Sequence, residues 1–90
     1  MRKFTWDERK AKDNLAAHRV AFSEIERFEF AGALVETDDR FDYGEMREMA
    51  IGFIGMRLHV AVYTVRGDTL RLISLRKAVA AEKRHYVNNI

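Results

Sequence analysis

The chain contains no cysteine and no proline. The first absence removes disulfides, thiolate metal sites and a cysteine nucleophile together. The sequence also shows no internal repeat and no low-complexity linker, so the 90 residues read as one continuous domain, 1–90. No apolar run approaches the ~18 residues of a membrane span. Met1 to Asp7 is charged and lacks the apolar stretch of a secretion signal, which makes a cytoplasmic setting the expectation. Gly-rich phosphate loops, a GxSxG elbow and HxxxH or HxxE spacings are missing as well, so neither a cofactor nor a metal is expected. What is present is an ordinary globular balance, 48% hydrophobic and 33% charged.

The formal net charge of +2 conceals a strong asymmetry. Residues 1 to 22 hold six Lys/Arg against three Asp/Glu, residues 23 to 48 three against nine, and residues 49 to 90 seven against two. Such a chain can offer a basic surface to a polyanion and an acidic one to a basic partner, or it can simply spread solvated charge over its surface.

Periodicity predicts an α+β fold, an antiparallel sheet packed by N-terminal helices with a C-terminal helix. Residues 2 to 6 alternate weakly, as a short strand would. Asp7 is a good N-cap, and Ala11, Leu15 and His18 follow at helical spacing, giving a helix over about 7 to 18. Ser23-Glu24-Ile25-Glu26 has the form of a capping box that would open a second helix through about Phe30. Ala33 to Thr37 reads as a strand and Asp38 to Glu45 as an acidic loop. Arg47 to Ile54, Arg57 to Val65 and Thr69 to Leu75 read as three strands joined by Gly55-Met56 and Gly67-Asp68, both suited to two-residue hairpin loops. About Ala78 to Asn88 reads as the last helix.

Those two loops specify a register. Ile54 would face Arg57, Ile51 Val60 and Met49 Val62, while Arg66 would face Thr69, Val62 Ile73 and Val60 Leu75. One face then collects Met49, Ile51, Phe53, Leu58, Val60, Val62, Ile73 and Leu75 as a core layer for the helices to cover. Arg47, Thr64 and Arg71 fall side by side in one cross-strand row. The opposite face carries Glu48, Ala50 and Gly52, then His59, Ala61 and Tyr63, then Leu72, Ser74 and Arg76.

Two guanidinium groups flanking a hydroxyl suit a phosphate, since each can hold its oxygens with two parallel hydrogen bonds. Equally, Arg47 and Arg71 could pair with Glu45, Glu48 or Asp68 at the sheet edge. The small residues around His59 and Tyr63 suit either a shallow platform for a nucleotide or close packing of a helix, which would leave His59 a partly buried spectator. Trp6 suits anchoring of the first helix to the sheet better than stacking on a base. Lys83-Arg84-His85 reads as a solvated helix face.

The string Phe4-Thr5-Trp6-Asp7-Glu8-Arg9-Lys10-Ala11, followed by Asn14-Leu15 and His18, resembles the N-terminal signature of BrnT-like toxins. Asp42-Tyr43-Gly44-Glu45 with Arg47, Ile51-Gly52, and Val62-Tyr63-Thr64 with Arg66 extend the likeness. So does the run Arg71 to Ala78, with Glu82 and Tyr86 beyond it. The likeness covers nearly the whole chain, and its specificity lies in the ordered set. Arg19 stands where the family commonly has glycine, and Phe30-Ala31-Gly32 replaces a usual Asp-Pro step.

The resemblance implies the toxin half of a type II toxin–antitoxin pair, with a small RelE-like ribonuclease fold and RNA cleavage that inhibits translation. It implies neutralisation by a BrnA-type antitoxin with a ribbon-helix-helix domain. DNA reading would then belong to the antitoxin, and dimers would form through it. Carried onto this chain, the family pattern touches Arg47, Tyr63, Thr64, Arg71, Ser74 and Arg76. The expected chemistry is metal-independent, with Arg47, Arg71, Arg76 and Tyr63 catalytic and Thr64, Ser74, His59 and Lys77 contacting RNA. Glu48 and His59 are the candidates for a general base. The alternative is a non-catalytic basic module that binds RNA or protein through the same arginines.

Overall fold

The two glycine turns set the register of the sheet. In the computed structural model, which describes residues 2–39 and 44–90, Gly55 and Gly67 both take φ of 61°. A side chain at either position would disfavour that conformation. Each glycine opens a two-residue loop, so Ile54 lies opposite Arg57 and Arg66 opposite Thr69, as turn chemistry predicts. The strands are β1 (Lys3–Thr5), β2 (Leu34–Thr37), β3 (Glu48–Ile54), β4 (Arg57–Arg66) and β5 (Thr69–Lys77). Their order is β1-β5-β4-β3-β2. β2 to β5 are antiparallel neighbours, but β1 runs parallel to β5. The sheet is therefore mixed where a wholly antiparallel one was expected, because no hairpin constrains the direction in which β1 joins. Of the expected acidic loop, residues 40–43 lie outside the described residues.

Helix α1 (Glu8–His18) begins as its cap predicts: the Asp7 carboxylate accepts from the Arg9 and Lys10 backbone N–H groups at 2.8 and 3.1 Å. It ends at Arg19, which takes the left-handed conformation (φ 59°) that a glycine adopts without strain. The helix expected from Ser23 to Phe30 is instead two 3₁₀ segments, Phe22–Arg27 and Phe30–Gly32, and the Ser23 capping box is not made. The reason is the spacing of the buried side chains. Phe22, Ile25 and Phe28 recur every third residue, which matches three residues per turn. Helix α2 (Ala80–Asn89) closes the chain.

The sheet buries side chains on both faces. On one face, Ala50, Ala61, Tyr63, Leu70, Leu72 and Leu75 form a core with Val20, Phe22, Ile25 and Phe28 from the segment after α1. On the other, Ile51, Val60 and Val62 pack with Ala78 and Tyr86. The first face is the one that suited either an open platform or close packing, and it is packed. Its small residues admit Phe28: a Cβ on Gly52 would come within 2.9 Å of the Phe28 ring and 3.0 Å of the Ala33 Cβ. Gly52→Ala is expected to destabilise the fold by about 1–3 kcal/mol through this overcrowding. A urea midpoint unchanged from the parent chain would contradict that packing.

The register departs from expectation once. Thr64 lies opposite Arg71 and Tyr63 opposite Leu72, but Val62 then faces Ser74 and Val60 faces Arg76. A β-bulge at Ile73 absorbs one residue, so Leu75 turns to the Ala61 and Tyr63 face rather than to the Val60 face. The apolar spacing carries the cause. Leu70 and Leu72 are two apart, Leu75 is three further on, and all three are buried together. One added residue is the means of keeping that set on one side.

Candidate active site

The cross-strand row holds. Thr5 of β1 pairs with Arg71, and Arg71 pairs with Thr64. Arg47 sits one residue before the Glu48–Tyr63 pair, so it occupies the next position beyond Thr64. Its carbonyl accepts from the Asp38 N–H at 2.7 Å, which extends the row to the end of β2. Neighbouring strands lie about 4.8 Å apart, so the Arg47 and Arg71 backbones flank Thr64 at a spacing of about 10 Å. Two extended guanidinium side chains can close on one phosphate from there. Thr64 is buried, Arg47 half-buried and Arg71 exposed.

Each cation near this row has a different commitment. Arg66 pairs with Glu45 at 3.1 Å on the surface. Arg71 makes no hydrogen bond or ion pair to any described residue. It does stand close enough to Asp7 to act on it. The Asp7 carboxyl is held below its ordinary value chiefly by the Lys10 N–H, with the Arg9 N–H and the Arg71 charge adding and desolvation opposing. Lys3, opposite Thr69, brings a further cation to the same face. Sequence reasoning left Lys3 out because no turn announces the parallel pairing of β1.

The bulge brings Ser74 and Arg76 onto the same face as Arg71. Without it they would lie on the opposite one, as expected from the simpler register. Arg76, however, is committed to Glu82: both its terminal nitrogens donate to the two carboxylate oxygens at 2.7 Å, with the side chains only 21% and 19% exposed. Glu82 also accepts from the Val79 N–H at 2.9 Å, so this pair fixes the start of α2. Such a bidentate, partly buried pair is a structural clamp before it is a substrate contact.

His59 and Tyr63 are not brought to the arginines. They point to the other face, where His59 is 6% and Tyr63 3% exposed. His59 Nδ1 lies 2.9 Å from the Arg57 carbonyl oxygen. The Tyr63 ring meets Phe30 edge-on, with centroids 5.8 Å apart. Glu48, opposite Tyr63, shares that face, so both candidate bases are separated from the arginine row by the sheet itself. Lys77, paired with His59, is exposed at the far end of β5.

Burial pushes the Tyr63 phenol above its usual value, Glu48 pushes it further, and Arg2 opposes. The protonated phenol is therefore favoured by folding. The stability it contributes is fully present below the unfolded-state value near 10 and is lost as pH rises through the higher folded-state value. In an ultraviolet titration, Tyr63→Phe is expected to remove a phenol that ionises above 10. A phenol of Tyr63 titrating below 10 would contradict this. Among the described residues, no three of His, Asp and Glu are placed to hold a metal ion.

Fold and row together define a small α+β protein that presents guanidinium groups on one face of a mixed sheet. A family model described as the ribonuclease toxin, BrnT, of type II toxin–antitoxin systems matches residues 6–82. No curated protein sequence matches. Among solved structures, the chain is similar to the Brucella abortus ribonuclease toxin, BrnT, known from a crystal structure at 1.1 Å. The two share 30% identity and a TM-score of 0.70, over 88% of this chain and 99% of that one. The chain belongs to the BrnT family of ribonuclease toxins. Membership of a type II toxin–antitoxin family implies an RNA target and an antitoxin partner. Among the described residues, no helix is long and apolar enough to cross a membrane.

Proposed function

We propose that the chain cuts RNA without a metal ion, on the sheet face that carries Arg47, Thr64 and Arg71. RNA holds its own nucleophile. The 2′-hydroxyl attacks the adjacent phosphorus, the bond from phosphorus to the 5′ oxygen breaks, and a 2′,3′-cyclic phosphate and a 5′-hydroxyl result. The 2′ proton passes to solvent, and the 5′ oxygen takes one up. The protein's task is then to hold the phosphate and to neutralise the charge that builds on its oxygens. The single observation that carries this reading is the direct pairing of Arg71 with Thr64, with Arg47 at the next position of the row. Arg71 engages the phosphate oxygens, and Ser74, further along β5 on that face, contacts the RNA backbone. Arg76 acts through Glu82 by holding α2 in place, and Glu48, His59 and Tyr63 take no part in proton transfer at the phosphate.

The same reading makes residues 1–90 one toxin unit, working in the cytoplasm and neutralised by a BrnA-type ribbon-helix-helix antitoxin. Dimerisation and DNA contact belong to the antitoxin. Incubation of RNA with the purified chain tests the chemistry. Cleavage is expected to persist in EDTA and to leave cyclic phosphate ends. Loss of cleavage in the chelator, restored by added Mg²⁺, would overturn metal independence.

A further inference from the structure

The end of the sheet remote from the arginine row carries a second surface. A cleft of about 380 Å³ opens beside the β3–β4 hairpin, lined by Phe53, Met56, Arg57, Leu58, Lys77, Ala78 and Lys83. Leu58 lies six residues from Thr64 along β4, which puts the cleft about 20 Å from the row. Its character differs from that of a phosphate site. Phe53, Leu58 and Ala78 form an apolar floor, and Met56 at the hairpin tip is 97% exposed. One exposed methionine is unremarkable alone, but a flexible thioether at the mouth of an apolar cleft suits an adaptable contact. Exposed Val87 lies one turn beyond Lys83 on the same flank of α2 and prolongs the apolar strip.

The rim supplies charge of one sign. Arg57, Lys77 and Lys83 line the cleft, and among the described residues no carboxylate does. None of the three forms an ion pair with a described residue. An occupant that satisfies both features carries apolar side chains between carboxylates. RNA would meet the cations but would leave Met56 and the apolar floor unpaired with anything of like character. A two-fold contact with a second copy of this chain would set one basic rim against another. Its acidic 23 to 48 stretch could reach the rim only through a head-to-tail contact that does not close on itself.

We infer that this cleft docks an acidic, apolar segment of the antitoxin protein, at a distance from the arginine row. The inference rests on the toxin reading, since it takes the antitoxin as the partner. The antitoxin segment lays its apolar side chains over Phe53, Leu58 and Met56, and its carboxylates meet Arg57, Lys77 and Lys83. Charges on the rim guide encounter and orientation, while the apolar contacts hold the complex.

Titration calorimetry of the full chain with its purified cognate antitoxin tests this, alongside RNA cleavage by the free chain. Met56→Asp and Lys83→Glu are each expected to weaken antitoxin binding at least tenfold, with Met56→Leu close to the parent. RNA cleavage by both free variants is expected to equal that of the parent. Met56 is exposed, so a circular dichroism melt of Met56→Asp should coincide with the parent's. Unchanged antitoxin affinity in both variants overturns the inference. So does reduced RNA cleavage with unchanged affinity, which assigns the cleft to RNA. A dimer of the chain alone that Met56→Asp dissociates assigns it to a second copy and also overturns it. If the parent chain fails to cut RNA while Met56→Asp still weakens antitoxin binding, the cleavage chemistry is refuted and the docking surface stands.

Discussion

Replacing Arg71 by alanine is expected to lower RNA cleavage by about 10²-fold or more, the usual cost of removing one donor that stabilises developing charge. The melting temperature should not move, because Arg71 is exposed and makes no hydrogen bond or ion pair to a described residue. Arg71→Lys keeps the charge but not the planar fork, so it should recover part of the rate and not all of it. The contrast is Arg76→Ala, on the same face. There the bidentate pair to Glu82 is lost, so the melting temperature should fall. Tyr63→Phe and His59→Ala should cleave within a few-fold of the parent, because both side chains are buried on the other face. A rate for Arg71→Ala equal to the parent's would remove the chemical basis of the proposed site.

Asn14→Ala is expected to be the most destabilising single change outside the apolar core. β1 stops at Thr5, opposite Arg71, so among the described residues β5 has no neighbouring strand beyond that pair on its outer edge. At Leu75 the Asn14 amide takes the place of the missing strand. Its Nδ2 donates to the Leu75 carbonyl at 2.7 Å and to the Val20 carbonyl at 3.0 Å, and its Oδ1 accepts from the Leu75 N–H at 3.2 Å. Asn14 itself is 7% exposed. Alanine leaves three buried backbone groups without partners, at about 1–3 kcal/mol each before water enters. A net loss of about 3 kcal/mol or more is expected, a large share of the 5–15 kcal/mol typical of a folded domain. Asn14→Asp should fare little better, because a carboxylate can accept from Leu75 N–H but cannot donate to the two carbonyls. Denaturant midpoints decide the matter, and a loss below about 0.5 kcal/mol, the range of changes at sites without such bonds, would refute this role.

Because Asn14 ties α1 to β5 just past the bulge, its loss also bears on the site. Asp7, at the start of α1, faces the Arg71 charge, and Leu75 lies four residues beyond Arg71 on β5. Loosening that attachment frees α1 to shift against the strand that carries Arg71 and Ser74. Cleavage should fall in Asn14→Ala even at temperatures where the chain is still folded.

The β3–β4 register, the β4–β5 register from its turn as far as Tyr63, the Asp7 cap and the pairing of Arg71 with Thr64 were all legible in the amino-acid order. Each depends on neighbours in the chain: a glycine able to take positive φ closes a two-residue loop, and the loop alone aligns the strands on either side. Three features depended on packing between distant segments. Phe28, arriving over Gly52, decided that the His59 and Tyr63 face is core and not platform. The need to bury Leu70, Leu72 and Leu75 together placed the bulge at Ile73, and with it Ser74 and Arg76 on the arginine side. β1 joined β5 in parallel through a connection that spans most of the chain, which added Thr5 to the row and Lys3 to its face. Local conformational preference aligns strands that a turn joins, but which face a helix covers is settled only when the whole apolar surface is buried at once.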